Sequence, residues 1–410
     1  MKTIATILAL LFMVCGMASA QVVPAATGPA TLPGGSNVQY AVRYAENAQF
    51  ATSISNMQTA TASGSLTYMN GSDRKPLTLQ YGGGYTWTLS GPSYETGQSQ
   101  RLYLSQGLDW REWRVSVMDD VSYLPQAPTT GFLGIPGSGE PIGVTTPTPS
   151  SSQTILTLNT HAVENNANGS LEHNLNNATI IGANGGSLLL RYPNGDGLNT
   201  DALTATGLLV RMLNGRNSVS GTYLYSNYGY PEHHVTFVTN TGLVGYQHKW
   251  TRNLITNFAG GPEWISSTVT NVVPSTINAR VIATANYALR FTSLGVSYTR
   301  GTNGGAGYLI GAEVDTATGN FTEQFGTNMT IGLTGGYERT ASLNNSGVTD
   351  GIFGGAEGTW RIGRNMIVFA NYTGADQSST SPLPTNALHQ LMQTVGFGVG
   401  YSPRPMRVRQ

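Results

Sequence analysis

Polar and apolar side chains alternate along this chain in segments of roughly 10–15 residues from about Asn37 to Ser402, with separators that are by turns short and long. Residues 76–89 show the pattern most clearly. Leu77, Leu79, Tyr81, Tyr85, Trp87 and Leu89, with Gly83, fall on one face, and Pro76, Thr78, Gln80, Gly82, Gly84, Thr86 and Thr88 fall on the other. Successive side chains of a strand point to opposite sides, so one face wants hydrocarbon and the other water. A small soluble barrel would turn its apolar face inward, but a closed sheet of this many strands has an interior too wide for side chains to fill. The pattern therefore predicts apolar side chains outward toward lipid and polar ones inward, the arrangement of a transmembrane β-barrel.

The first 20 residues predict an export signal. Lys2 supplies the positive start, Ile4 to Val14 form a mostly apolar run, and Ala18-Ser19-Ala20 is a small-x-small cleavage pattern before Gln21. That run is too short to span a bilayer as a helix, and no later stretch reaches about 18 consecutive apolar residues. Cys15, the one cysteine, lies inside the signal, with Val14 where a lipoprotein signal would want a small residue. Without the leader the chain has no thiol, which excludes a disulfide framework, thiolate metal sites and cysteine nucleophiles. The 21 basic and 21 acidic residues balance, and scattered arginines leave no footprint for nucleic acid. The 52 glycines follow no fixed period, so collagen is excluded. Aromatic and β-branched residues recur in every segment, which argues against disorder. The organisation predicted is a signal at 1–20, a Pro/Gly/Ala linker at 21–36, one barrel over 37–402 and a basic tail at 403–410.

Strands are expected at 37–48, 59–69, 76–89, 98–107, 112–124, 154–172, 178–192, 200–213 and 217–230. Nine more follow at 234–250, 254–267, 278–290, 294–302, 309–326, 329–341, 349–361, 365–377 and 389–402. Short separators such as Asn70-Gly71-Ser72-Asp73 and Asn214-Gly215-Arg216 carry hairpin chemistry. Longer ones at 90–97, 125–153, 268–277, 342–348 and 378–388 come between them. Alternation of short and long suits a barrel with tight periplasmic turns and longer external loops. The fold class predicted is all-β: an antiparallel up-and-down transmembrane barrel of about 18 strands. A secreted β-solenoid would instead need a repeat of constant length.

Trp87, Trp113, Trp250, Trp264 and Trp360 lie within a few residues of strand ends, and Trp110 in a turn. Amphipathic rings favour the headgroup level, which makes these candidates for the aromatic girdles. In the last strand Leu391, Val395, Phe397, Val399 and Tyr401 alternate with Met392, Thr394, Gly396, Gly398 and Gly400. This resembles the C-terminal β-signal read by the barrel-insertion machinery, although Ser402-Pro403-Arg404-Pro405 and a basic tail follow where many barrels stop. Taken whole, the chain resembles bacterial outer-membrane β-barrel proteins of the porin-like kind. In finer detail it is similar to a family of such barrels without an assigned activity. The segments carrying that likeness are Val121-Ser122-Tyr123-Leu124-Pro125-Gln126-Ala127-Pro128, Gly261-Pro262-Glu263-Trp264-Ile265, Gly301-Thr302-Asn303-Gly304-Gly305-Ala306-Gly307 and Gly396-Phe397-Gly398-Val399-Gly400-Tyr401. The resemblance implies a location in the outer membrane of a Gram-negative-type bacterium and supplies no substrate.

About 18 strands spaced roughly 4.8 Å apart and tilted about 40° give a backbone diameter on the order of 35 Å, wide enough for an aqueous channel. A plug domain like that of the TonB-dependent transporters would need far more than 21–36. Strand parity names the lining: in 278–290, Ala279, Val281, Ala283, Ala285, Tyr287 and Leu289 point out, and Arg280, Thr284, Asn286 and Arg290 point in. By the same parity Gln80, Arg101, Arg114, Glu338, Glu357, Arg361 and Asn371 face the lumen. Arginines outnumber acids in this set, which hints at a weak anion preference, while paired charges that only stiffen the wall are an equal reading. The insertion 125–153, with Glu140 as its one charge, is either a constriction or an external cap. Glu232-His233-His234 could hold a metal only awkwardly, because adjacent residues of an extended chain point opposite ways. No Gly-x-Ser-x-Gly elbow is present. No catalytic residue, metal or cofactor is predicted. The partners expected are outer-membrane lipid, the insertion machinery, small polar solutes and, compatibly, further copies of the chain. The function expected is passive diffusion of small polar solutes through a porin-like channel. A non-conducting surface barrel, for adhesion or envelope scaffolding, is the alternative, with an outer-membrane hydrolase behind it.

Overall fold

The computed structural model describes residues 36–51, 56–70, 72, 74–91, 97–125, 161–195, 197–305, 309–344, 347–380, 391–403 and 406–408. The export signal, the linker up to residue 35 and the insertion containing Glu140 lie outside the described residues. Nine strands make the first half: β1 (Ser36–Ala51), β2 (Met57–Asn70), β3 (Leu77–Ser90), β4 (Gly97–Trp110), β5 (Trp113–Pro125), β6 (His161–Asn176), β7 (Thr179–Arg191), β8 (Thr200–Met212) and β9 (Asn217–Tyr230). The second half is β10 (Val235–Lys249), β11 (Leu254–Ser267), β12 (Thr276–Ala288), β13 (Thr292–Asn303), β14 (Ala312–Phe325), β15 (Met329–Ser342), β16 (Val348–Ile362), β17 (Met366–Ser379) and β18 (Met392–Tyr401). Every strand pairs antiparallel with its neighbours in chain order. The pairing of β1 with β18, from Val42 opposite Tyr401 to Ala51 opposite Met392, closes the ring. All 18 expected strands are present. The expected boundaries drift by a few residues because a pattern of period two does not say where pairing stops; residues 154–160 and 389–390 of the expected strands lie outside the described residues.

Short turns join β2 to β3, β4 to β5 and so on to β16 and β17, and longer connections gather at the opposite end. The outer face is a wall of hydrocarbon: Val244 is 74 % exposed, Ile277 65 % and Ile352 63 %. Such exposure would be ruinous in water and is what a wall against lipid requires. The partner faces hold the polar half of each alternation, so the inside-out reading stands.

The tail after Tyr401 adds one short strand. Met406–Val408 (β19) pairs with Ser36–Val38. Because β18 meets β1 only from Val42 upward, the first residues of β1 would otherwise leave one edge open. An unpaired strand edge is a liability, and the returning tail covers it. Gly-rich β18 has a packing reason too. A Cβ added at Gly398 would strike the ring of Phe369, and one at Gly396 would strike Asn47 and Asn371. The inner glycines of the last strand are the floor beneath side chains of its two neighbours.

Candidate functional site: the inner wall and its long-loop mouth

The inner wall is polar, and several of its charges are paired. Arg101 on β4 donates to Asp120 on β5 through Nε (2.9 Å) and Nη2 (2.7 Å), a two-point contact between diagonal neighbours. Nearer the short-turn end, Arg114 donates to Asp109 (3.1 Å) and Glu172 (3.4 Å). Arg280 on β12 donates to Glu263 on β11 at 2.8 Å. Glu338 accepts from Thr316 and Thr340. Gln80 and Asn371 are buried against the wall. Arg43 lays its guanidinium over the Phe369 ring, 3.6 Å from the centroid, within electrostatic reach of Glu357. Asn286 lies on the inner face of β12, and Arg361 on that of β16 near the short turns. Arg290 does not lie on the wall. Strand β12 ends at Ala288, and Arg290 sits in the following turn over the Phe291 ring. The expected strand ran two residues too far because Leu289 and Arg290 continue the alternation after pairing has stopped.

The long-loop end holds what parity could not show. Loops turn inward and pack on the inner faces of β8 to β11. Val273 from the β11–β12 loop and Leu343 from the β15–β16 loop are buried with Tyr228, Tyr230, Phe237 and Ile265, and Leu198, Val269, Val272 and Ile310 pack against the cluster. Tyr228 stacks on Phe237 at 4.8 Å. The Tyr230 hydroxyl donates to the carbonyl of Gly304 (2.8 Å) and accepts from the N–H of Gly311 (3.0 Å), tying both ends of the β13–β14 loop to the wall. Gly311 has φ +75°, and a Cβ there would run into Leu343 and Phe237, so only glycine serves.

Below this cluster Glu263 is fully buried and fully used. One carboxylate oxygen accepts from Arg280 (2.8 Å) and Thr241 (3.2 Å), and the other from the Thr302 N–H (2.9 Å) and hydroxyl (2.8 Å). Strand β13 leaves β12 after Arg300 pairs with Val281 and keeps only β14 as neighbour. The freed segment bends inward onto Glu263. Two of the segments singled out in the sequence, those beginning at Gly261 and at Gly301, therefore meet at one carboxylate. Pro262 lacks an N–H, so the β10–β11 ladder is interrupted beside Gly242. A Cβ at Gly261 would collide with the Gly242 carbonyl. Arg43 was not named from the sequence, and Glu263 was named only within the segment beginning at Gly261, not as a candidate site residue. The alternation around Arg43 is diluted by Glu46, Asn47 and Gln49, and Glu263 looks like one more lumen residue until its ligands are known. Glu232, beside His233 and His234, accepts from Asn199 at the rim.

No family model and no curated protein matches the chain. Among solved structures it is similar to OccAB4 of Acinetobacter baumannii, with 9 % identity over 91 % of this chain and 99 % of that one, TM-score 0.49. OccK2 (OpdF) of Pseudomonas aeruginosa gives 11 % identity over 91 % and 98 %, TM-score 0.49. OccK5 (OpdH) of the same organism gives 12 % over 91 % and 98 %, TM-score 0.47. Likeness at this level says nothing of what passes through the barrel or binds to it, and the functional reading is drawn from this chain's own walls.

Proposed function

We propose that the protein is a porin-like channel of the outer membrane of a Gram-negative-type bacterium, passing small polar solutes by diffusion. One observation carries the reading: a closed ring of 18 strands has a hydrocarbon outer face and a polar, ion-paired inner face. Barrels of this size enclose water rather than a packed core. Residues Gln80, Arg101, Arg114, Arg280, Asn286, Glu338, Glu357, Arg361 and Asn371 are the proposed lining, to which Arg43 and Asp120 are added, with Glu263 as the buried anchor beneath the mouth. Val395, Phe397, Val399 and Tyr401, on the outer face of β18, are the proposed signal for the insertion machinery.

The arginine excess counted from parity is offset, in this reading, by pairing. Arg101, Arg114 and Arg280 each meet a carboxylate on the same face. The proposed channel is therefore close to indifferent between anions and cations rather than anion-preferring. The test is conductance of purified, detergent-folded protein in planar bilayers under a salt gradient. Steady openings with a reversal potential near zero are expected. A persistently silent bilayer overturns the channel. The inward-packed loops at the mouth would then favour the second reading, a non-conducting surface barrel.

A further inference from the structure

Asp119 is the central residue of β5, and it faces outward. Its strand neighbours on that face include Trp113, Val117 and Val121, which are exposed, and half-buried Val115. Across the ladders it stands opposite Leu104 of β4 and Ala167 of β6, both on the outer face. Trp113 and Tyr123 bracket it, one toward each end of the strand. With a strand rise of roughly 3.3 Å and a tilt of about 40°, ten residues span about 25 Å along the bilayer normal, the height of the apolar band. Asp119 thus lies well inside the hydrocarbon belt. Its side chain takes one hydrogen bond among the described residues, from Asn165 Nδ2 at 3.0 Å, and Asn165 also faces outward. A carboxylate accepts more than that, and acyl chains offer nothing. Ionisable groups within the membrane interior mark function by default.

A second observation falls on the same stretch of wall. Every strand from β1 to β5 and from β9 to β18 carries at least one outward-facing Tyr, Trp or Phe, such as Tyr44, Tyr85, Trp113, Tyr223, Trp264, Tyr298 and Trp360. The described residues of β6, β7 and β8 carry none. Girdle aromatics belong where a wall meets headgroups, and their absence from three consecutive strands marks wall that meets protein. At mid-depth the same strands present Ala167, Gly169, Gly185 and Ala205, which leave the surface flat. At its long-loop edge Arg191 and Asp201 form an exposed pair, offering both signs of charge.

We infer that β5 to β8 form the surface through which the protein binds a second copy of itself. Copies in one membrane are related by an axis along the bilayer normal, so each residue meets partner residues at its own depth. The carboxylate of Asp119 and the carboxamide of Asn165, an acceptor and a donor at mid-belt, are matched at that depth by the same pair in another copy. The inference needs the outer wall to face lipid but not the interior to conduct, so a silent bilayer leaves it standing.

The chain's one cysteine is Cys15, so a Cys15→Ser background carries only the thiols introduced into it and keeps residues 1–20. Ala167→Cys and Ser187→Cys sit on the inferred surface, and Ile352→Cys on the opposite wall is the control. In outer membranes, a thiol-to-thiol crosslinker is expected to give self-crosslinked product with the first two and none with the third. Light scattering of the detergent-solubilised wild type is expected to report a multimer, and Asp119→Leu to lose it while keeping the heat-modifiable mobility of a folded barrel. Monomer alone in scattering and crosslinking, equal crosslinking at Ile352→Cys, crosslinks only to a different protein, or an Asp119→Leu variant that stays associated would each overturn the inference. The cysteine variants keep the test decisive if Asp119→Leu does not fold.

Discussion

The inner walls of β8–β13 and of β16–β3 obey the same alternation and end up covered by different things. On the first, loops from the long-loop end fold over the wall, so Phe237, Ile265 and Glu263 are sealed beneath main chain that belongs to distant strands. On the second, no described loop does this. The wall is covered by its own side chains, with Arg43, Phe369 and Asn371 lying across the glycine floor of β18. The difference separates two ways of shaping a lumen. Loop packing narrows a mouth from one side and depends on a few anchoring groups; alternating glycine and large side chains shape the waist and depend on each residue in the wall.

The anchor on the loop-covered side is Glu263, and its removal should have the largest effect. Glu263→Ala leaves Arg280 without its carboxylate and Thr302 without its acceptor, which for a broken buried pair costs about 3–5 kcal/mol. A lower urea midpoint and a larger single-channel conductance are the expected outcomes. An unchanged conductance with a lowered midpoint would show that the covered side lies off the path, and the contrast between the two walls would lose its functional meaning.

Tyr230→Phe tests the loop packing with less disturbance. The ring stays stacked beside Phe237, but the carbonyl of Gly304 and the N–H of Gly311 lose their shared hydroxyl, at a cost of about 1–3 kcal/mol for buried groups left unpaired. Faster amide exchange confined to the residues around Gly304 and Gly311 is expected. Uniform acceleration across the barrel would mean that the loop is not a separate unit.

On the opposite wall, Gly398→Ala places a methyl against Phe369 and the Tyr44 carbonyl. Overpacking of this kind costs about 1–3 kcal/mol. The damage should appear at the β18–β1 seam, as slower folding into lipid vesicles on a heat-modifiability gel, with exchange at Gly304 and Gly311 untouched. Loosening of those loops by a seam variant would erase the distinction between the two sides.

What could be read from the residues and what could not follows the same division. Outward faces were legible because lipid acts on each strand separately: Leu77, Leu79 and Tyr81 announce their side without help from any neighbour. Pairing needs register, which period-two alternation leaves free in steps of two. Arg101 and Asp120 were therefore visible as polar residues but not as partners. Inward-folded loops were illegible for a further reason. Val273 and Leu343 lie in connections, where alternation carries no information, and the apolar inner residues they cover, Phe237 and Ile265, are misfits to a polar-in rule until the loops are in place. Arg290 shows the reverse error, a pattern that runs on past the end of its strand.

The smallest change, Arg43→Gln, bears most directly on selectivity. It removes a cation stacked on Phe369, worth about 0.5–2 kcal/mol. Because this wall has no described loop over it, the loss of that positive charge would be felt in the lumen, and the reversal potential should move toward cation preference. Arg280→Gln makes the same charge change beneath the packed loops, beside Glu263. There the expected outcome is a looser mouth, read as higher conductance, with a much smaller movement of the reversal potential because the carboxylate is screened from the path by the segment at Thr302. Equal shifts from the two variants would mean that both walls meet the permeating ions alike, and that the loops at the mouth leave the buried carboxylate in the field of the channel.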